Sequence, residues 1–203
     1  GRTAEVFAAP KHAYTRHLMA AAPKGEPPSA APSAPVVVEV EQVRVWCPIK
    51  AGFLRRTVGH VKAVDGVDFK LRAGQTLGVV GQSGSGKTTL GLALLRLISS
   101  EGSIAVLWRR IDGLDSRAMR PLRRDVQAVF QDPYGSLSPR MTVADIVGEG
   151  LAVHEPGLTA NLRDDRVVEA LVEVGLDPET RHRYPHEFSG GQRQRIAIAR
   201  AMV

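Results

Sequence analysis

The chain has 203 residues and a formal net charge of +6, with a pI of about 9.9. This length accommodates one ordinary domain with a sizeable core and a short appendage. Lysine and arginine are spread along the sequence, which predicts solvated faces and no nucleic-acid-binding surface. The one cysteine, Cys47, excludes an internal disulfide. No stretch approaches the roughly 18 consecutive apolar residues of a membrane span, so we expect any membrane role to come through a partner.

The first 35 residues differ in composition from the rest of the chain. A short amphipathic helix is predicted after Pro10. Prolines then recur so densely between residues 23 and 35 that neither helix nor strand is expected. We interpret residues 25–35 as a linker.

Alternating apolar and polar residues begin at Val36. Residues 36–45 and 67–71 follow this pattern, which predicts half-exposed antiparallel strands joined by a long hairpin connection. Other segments have the length and spacing of strands and helices. The predicted strands are residues 104–108 and 126–130, and the predicted helices are residues 116–124, 142–152, 161–174 and a last one from Ser189.

A glycine-rich segment lies between an apolar run and a helical pattern. Residues 77–80 predict a buried strand, and apolar residues at helical spacing follow the segment. Within it, two glycines separated by four residues precede a lysine and a threonine, as in a phosphate-binding loop. The glycines let backbone N–H groups converge on phosphate oxygens, and the lysine adds a positive charge. The threonine hydroxyl can coordinate a Mg²⁺ that arrives with the nucleotide. The predicted nucleotide-binding residues are Gly81, Gln82, Ser83, Gly84, Ser85, Gly86, Lys87, Thr88 and Thr89.

The last predicted helix begins with an unusual sequence of serine, two glycines and glutamine. Ser189 and Gln192 fit a capping box, which needs no ligand. Two glycines in a first helical turn cost roughly 1 kcal/mol each, so a purely structural cap would seldom keep them. We interpret Gly190 and Gly191 as backbone that packs against a phosphate.

With Phe188 before it and residues 193–195 after it, this segment resembles the signature motif of the ATP-binding cassette (ABC) ATPases. The resemblance covers residues 36–203. It implies an α/β fold: a P-loop NTPase, RecA-like core with an antiparallel β subdomain and an α-helical subdomain. It also implies that ATP and Mg²⁺ are the cofactors.

The resemblance implies a role for each motif. Gln131 is similar to the Q-loop glutamine, which contacts Mg²⁺ and the attacking water and couples to a transmembrane partner; a structural alternative is that it caps a turn. Thr88 and Gln131 would then contact the metal. Signature residues would contact the γ-phosphate held by an opposite cassette. These are Ser189, Gly190, Gly191 and Gln192.

The resemblance extends to a subfamily, the importers of oligopeptides, dipeptides and nickel. Residues 130–143 and 184–195 look like the matching segments of these proteins, and residues 9–15 resemble the tail that closes one of their ATPase domains. Ala13 stands where that tail usually has proline. We therefore expect residues 1–24 to end a first cassette and residues 36–203 to begin a second in a tandem protein.

The adenine platform departs from the family pattern. The family stacks adenine on an aromatic residue at the end of its first strand, where counting places Cys47, with Trp46 just before it. Trp46 offers the aromatic surface for stacking, but strand alternation sends it to the face opposite Val45, so core or rim packing remains an alternative. Phe53 is a further candidate.

The sequence ends at Val203, before the segments in which the family carries its Walker B strand, catalytic glutamate and switch histidine. Such a chain retains the phosphate cradle without the water-activating base, so we expect weak ATP binding and no turnover by this chain alone. We also expect its central parallel sheet to lack an inner strand and to expose apolar surface.

The function that the resemblance implies is the ATP-hydrolysing subunit of an importer for peptides or related solutes. Its partners would be a second cassette, a membrane permease and, indirectly, a solute-binding protein, at the cytoplasmic face of the plasma membrane. Two alternatives remain at this stage: a soluble ABC ATPase like those of phosphonate breakdown, and a nucleotide-sensing module without hydrolysis.

Overall fold

The computed structural model describes residues 2–21, 31, 33–53 and 55–203 of the chain. Most of the predicted linker and residues 22–24 of the predicted tail lie outside the described residues.

Two short helices lie near the N-terminus, α1 (Thr3–Ala8) and α2 (Ala13–Ala20). The second confirms the helix predicted after Pro10. Its N-cap is His12, whose Nδ1 accepts a hydrogen bond from the backbone N–H of Tyr14. No helix in the described ranges is both long and apolar enough to cross a membrane.

A four-stranded antiparallel sheet forms the first half of the domain. Its order is β2 (Arg56–Arg72), β1 (Val36–Ala51), β3 (Glu101–Val106) and β4 (Arg109–Arg110). The alternation of valines in β1 gives it one buried face, since Val43 and Val45 are buried. This confirms the predicted antiparallel hairpin. The strand predicted at residues 104–108 is also confirmed, as β3, which begins three residues earlier than predicted.

The strands predicted at residues 77–80 and 126–130 are wrong. Neither segment has regular secondary structure, and Val80 is 91% exposed. A strand of a parallel sheet needs ladder partners for its N–H and C=O groups. Within the described residues no other segment pairs with either of these two, so their apolar side chains have no sheet to pack into.

Helices form the second half of the domain. The predicted helices at 142–152 and 161–174 are confirmed within two residues as α6 (Val143–His154) and α7 (Ala160–Glu173). Threonine caps begin both, and Thr142 forms a complete capping box with Asp145. The helix predicted at residues 116–124 ends early, because Pro121 turns its second half into a 3₁₀ turn, Arg120–Arg124. The helices of the domain are α3 (Lys87–Leu94), α4 (Ser116–Met119), α5 (Pro133–Ser136), α6 (Val143–His154), α7 (Ala160–Glu173) and α8 (Gly190–Met202).

The described residues form two hydrophobic cores. The sheet core joins the buried valines of β1 and β2 to Leu90 and Ala93 of α3. The helical core joins α6, α7 and α8 around Ile146, Leu171 and Ile196. The helix that follows the phosphate-loop segment therefore packs in one core, and the helix that begins with the signature segment packs in the other.

We expect Ile196→Ala to lower the free energy of unfolding by about 2–5 kcal/mol, because the substitution leaves a cavity in the helical core. Ile196 is fully buried, whereas Ile198 on the same helix is 37% exposed. Ile198→Ala is the matched control and should cost less than about 1 kcal/mol. Urea unfolding of both variants measures the difference, and equal losses would contradict the assignment of the buried face of α8.

Candidate nucleotide-binding site

The phosphate-loop segment reaches α3 through a close backbone contact. Gly86 is the N-cap of α3 and has φ +91°, a left-handed conformation that favours glycine. A Cβ atom at Gly86 would lie 2.0 Å from the carbonyl oxygen of Ala63 in β2. Only glycine therefore allows the N-terminus of α3 to sit against this strand.

Lys87 folds back over the loop that precedes it. Its Nζ donates hydrogen bonds to the carbonyl oxygens of Gly81 (2.9 Å) and Gln82 (2.6 Å) and lies 3.4 Å from the hydroxyl of Ser85. These acceptors are all neutral, and in the part of the chain that the structure describes no carboxylate forms an ion pair with Lys87. The positive charge of Lys87 adds to the positive end of α3, so the loop favours an anion.

Residues 127–130 run beside α3 and lead to Gln131. They line a groove of about 280 Å³ together with Thr88, Gly91 and Leu92. Gln131 itself is exposed, at the point where the chain leaves the sheet half for α5. Thr88 and the segment that carries Gln131 thus share one groove.

The signature segment begins α8 as a capped and exposed helix end. The Ser189 backbone N–H donates to Oε1 of Gln192 (2.9 Å), and the Gln192 N–H donates to Oγ of Ser189 (3.3 Å). All four signature residues are exposed. A Cβ atom at either Gly190 or Gly191 would meet no atom within 4 Å. Packing within the described chain therefore gives no reason for glycine at these two positions.

A 3₁₀ turn, Pro185–Glu187, holds the approach to this helix. The Glu187 carboxylate accepts the Tyr184 backbone N–H (2.7 Å) and the Arg183 side chain (3.3 Å). The backbone hydrogen bond, followed by the nearby Arg183 charge, lowers the pKa of Glu187 below its ordinary value. The carboxylate is thus held in its charged form beside the signature segment.

Two arginines of α8 tie this helix to backbone carbonyls of other segments. Arg193 is 8% exposed, and its Nε and Nη2 donate to the carbonyls of Pro185 (2.6 Å) and His186 (3.2 Å). Arg200 donates through Nη1 to the carbonyl of Ser136 (2.7 Å), just beyond Gln131. The signature helix is therefore anchored to the turn before it and to α5.

The sequence motifs predict no role for Arg193 or Arg200, although the sequence contains a signal for one. Arg193 and Arg200 lie seven positions apart, on the helical stripe that also contains Ile196 and Ala197. A charged residue at each end of a buried stripe indicates side chains that bond to backbone rather than to water.

Trp46 lies on β1, directly after the buried Val45. It alternates with the buried Val45, and β1 therefore directs the two side chains to opposite faces. Its indole Nε1 donates to Oδ1 of Asp65 (3.0 Å), and Nζ of Lys62 lies 4.3 Å from the ring centroid. These contacts account for Trp46 without a base; its role in adenine stacking stays a prediction. Cys47 is exposed, and Phe53 is fully exposed at the hairpin turn.

A glycine-rich loop at a helix N-terminus and a second capped helix with two open glycines are the features of a P-loop nucleotide-binding cassette. The chain belongs to the ABC transporter family, whose model matches residues 64–203. It is an ATP-binding domain of the dipeptide and oligopeptide type within that family.

Three curated relatives match all or nearly all of this chain. The peptidoglycan transport ATP-binding protein YejF of Agrobacterium fabrum is 66% identical over 203 residues, which are 100% of this chain and 37% of that protein. The uncharacterized ABC transporter ATP-binding protein YejF of Escherichia coli K12 is 53% identical over 98% of this chain and 38% of its own length. The glutathione import ATP-binding protein GsiA of Shigella boydii is 43% identical over 100% of this chain and 37% of its length. The chain thus spans little more than a third of the length of these relatives.

A solved structure confirms the fold. The ATP-binding cassette MJ0796, a dimer in a post-hydrolysis state bound to ADP and Pi, has a TM-score of 0.70 and 28% sequence identity. The match covers 81% of this chain and 68% of that chain. The chain therefore has the ABC cassette fold that the sequence resemblance implied.

We expect Glu187→Gln to lower the melting temperature at neutral pH but not in acid. The folded state depresses the pKa of Glu187, so its charge stabilises the fold above the unfolded-state pKa. This contribution disappears as the pH falls through the lower folded-state pKa. Melting curves of both proteins from neutral pH downward measure the effect, and a difference that grows in acid would contradict the sign.

Proposed function

We propose that the chain is the ATP-binding cassette of an importer for peptides or related small solutes, which uses ATP to close two cassettes on each other. One observation carries this proposal: Gly190 and Gly191 are exposed and face open space at a capped helix start. Two costly glycines with no packing role indicate backbone kept bare for a contact from outside this chain. The same chain has a phosphate loop, and each of two such chains would supply both halves of a composite site.

The phosphate-loop residues support the nucleotide part of the proposal. The left-handed Gly86 and the contact with Ala63 form a cradle that a Cβ atom would fill. The Lys87 ammonium would attract the β and γ phosphates, with backbone N–H groups of residues 81–89 as the remaining donors. Membership of the ABC transporter family implies that the bound ATP is hydrolysed.

Magnesium fits the oxygen donors near the loop. The described residues contain no group of three or more His, Cys, Asp or Glu side chains that could hold a metal ion on their own. The Thr88 hydroxyl and the Gln131 amide oxygen would therefore contact a metal that arrives with ATP. Bound there, Mg²⁺ neutralises charge on the phosphates. Thr88 and Gln131 would hold the metal in place and orient the nucleotide.

The partners follow from the relatives and from the unpaired signature segment. We assign residues 1–24 to the tail of a preceding cassette, 25–35 to a linker and 36–203 to this cassette. The relatives are nearly three times as long as the matched chain, which leaves room for a second, fused cassette. Membrane permease subunits, served by a solute-binding protein, would complete the assembly at the cytoplasmic face of the membrane. Peptidoglycan and glutathione in the relatives' names support a peptide-like solute.

We expect Lys87→Ala to weaken ATP binding by about 10- to 100-fold, because it removes a charge-assisted hydrogen bond to phosphate. The measurement is the number and affinity of sites for a fluorescent ATP analogue on the full-length polypeptide, where one site per chain should be lost. Lys70→Ala is the control, since Lys70 lies on β2 and pairs with Glu39. Equal binding by the Lys87 and Lys70 variants would refute the phosphate role.

We expect a Gly190→Ala, Gly191→Ala double variant to be more stable and less active. Alanine should raise the helix stability by up to about 1 kcal/mol per substitution. The added methyl groups would project toward the opposing nucleotide, so ATP turnover should fall by about tenfold or more while ATP binding to Lys87 and its loop is retained. Calorimetry and phosphate release measure the two effects. Unchanged turnover in a folded variant would contradict the composite site.

A further inference from the structure

The long hairpin extends beyond the body of the sheet. β1 pairs with β3 only as far as Arg44, whereas its pairing with β2 continues to Ala51 and Arg56. Residues 46–53 and 55–62 therefore form a two-stranded ribbon, here called the hairpin arm, roughly 20 Å long. Isolated two-stranded ribbons are marginally stable in water, so an arm of this length is expected to pack against something.

The arm exposes apolar side chains on both faces and at its tip. Trp46 pairs with Lys62 on one face, and Cys47 pairs with Val61 on the other. Val61 is 56% exposed, Trp46 is 38% exposed and Phe53 at the turn is fully exposed. The arm therefore combines an exposed aromatic tip with exposed apolar side chains along its length.

The arm is also strictly cationic. Residues 46–62 contain four lysines and arginines and neither aspartate nor glutamate. Lys62 forms an ion pair with Asp65 at 3.3 Å. The other three flank the tip, namely Lys50, Arg55 and Arg56, and among the described residues their side chains form no ion pair. Three unneutralised cations therefore surround the exposed Phe53.

We infer that the hairpin arm binds directly to the surface of an anionic lipid bilayer, with Phe53 inserted among the headgroups and the three cations against lipid phosphates. Apolar side chains at a tip with a ring of Lys and Arg match the two forces that bind proteins to such surfaces, apolar burial and attraction to anionic lipid. This contact needs no permease, so it differs from attachment through a partner.

Vesicle co-sedimentation of the full-length polypeptide tests the inference. The probes are vesicles of phosphatidylcholine alone and of phosphatidylcholine with about one third phosphatidylglycerol. We expect binding to the anionic vesicles only, and an Arg55→Glu, Arg56→Glu variant should bind at least about tenfold more weakly. The control is an Arg117→Glu, Arg120→Glu variant, which changes the charge equally at two exposed positions outside the arm. It should retain binding within about threefold.

A second pair of variants tests the apolar part. Phe53→Ser should reduce binding by about tenfold, whereas Leu162→Ser, at an exposed leucine on α7, should not. A Phe53→Trp variant should show fluorescence that brominated lipids quench, which reports insertion. Melting curves of each variant test for unfolding, which substitutions at these exposed positions should not cause.

Several outcomes would overturn the inference. Equal binding to neutral and anionic vesicles would show that charge does not drive the contact. Equal loss of vesicle binding in the arm and control variants would show that the arm is not the contact site. If the arm variants lose a co-purifying acidic protein or nucleic acid while their vesicle binding is unchanged, the arm binds that partner and not the bilayer.

Discussion

The close approach of Gly86 to the Ala63 carbonyl fixes the geometry on which the site depends. It brings the N-terminus of α3, and the loop that ends there, against β2. The contact lies where the β1 and β2 register shifts between Val45 and Trp46, which leaves Ala63 unpaired at a bulge. A side chain at Gly86 would push α3 away from β2, and Leu90 would then leave its position in the sheet core. The position of the helix dipole and the packing of the sheet core therefore depend on the same glycine.

The two halves of the site belong to different cores, and this division explains their different character. The phosphate loop leads into α3, which packs in the sheet core through Leu90 and Ala93, and the left-handed Gly86 brings the loop against β2. The signature segment projects from the helical core, where a capping box and Arg193 hold an otherwise bare helix end. A close backbone contact shapes the phosphate loop, whereas the glycines of the signature segment face open space. Such a pair is suited to meeting a second molecule rather than to closing on itself.

The sequence predicted the elements whose stability is local. The capping box of α8 and the alternation of β1 depend on residues a few positions apart, and these predictions are confirmed. The strands at 77–80 and 126–130 failed because a parallel strand depends on partners far away in the sequence, which an apolar run cannot supply. Arg200 was missed for the same reason, since its acceptor is a backbone carbonyl 64 residues away. The phosphate and signature motifs were recognisable because each is contiguous in sequence.

The hydrogen bond from Arg200 to the Ser136 carbonyl links α8 to the segment that follows Gln131. Leu137 strengthens it by packing into the same core as Ile196. These two contacts hold α5 against the signature helix. Residues 127–132 have no regular structure and connect the two cores. Gln131 lies in this connection, so the residue predicted to face the metal is also part of the segment that joins the two halves of the domain.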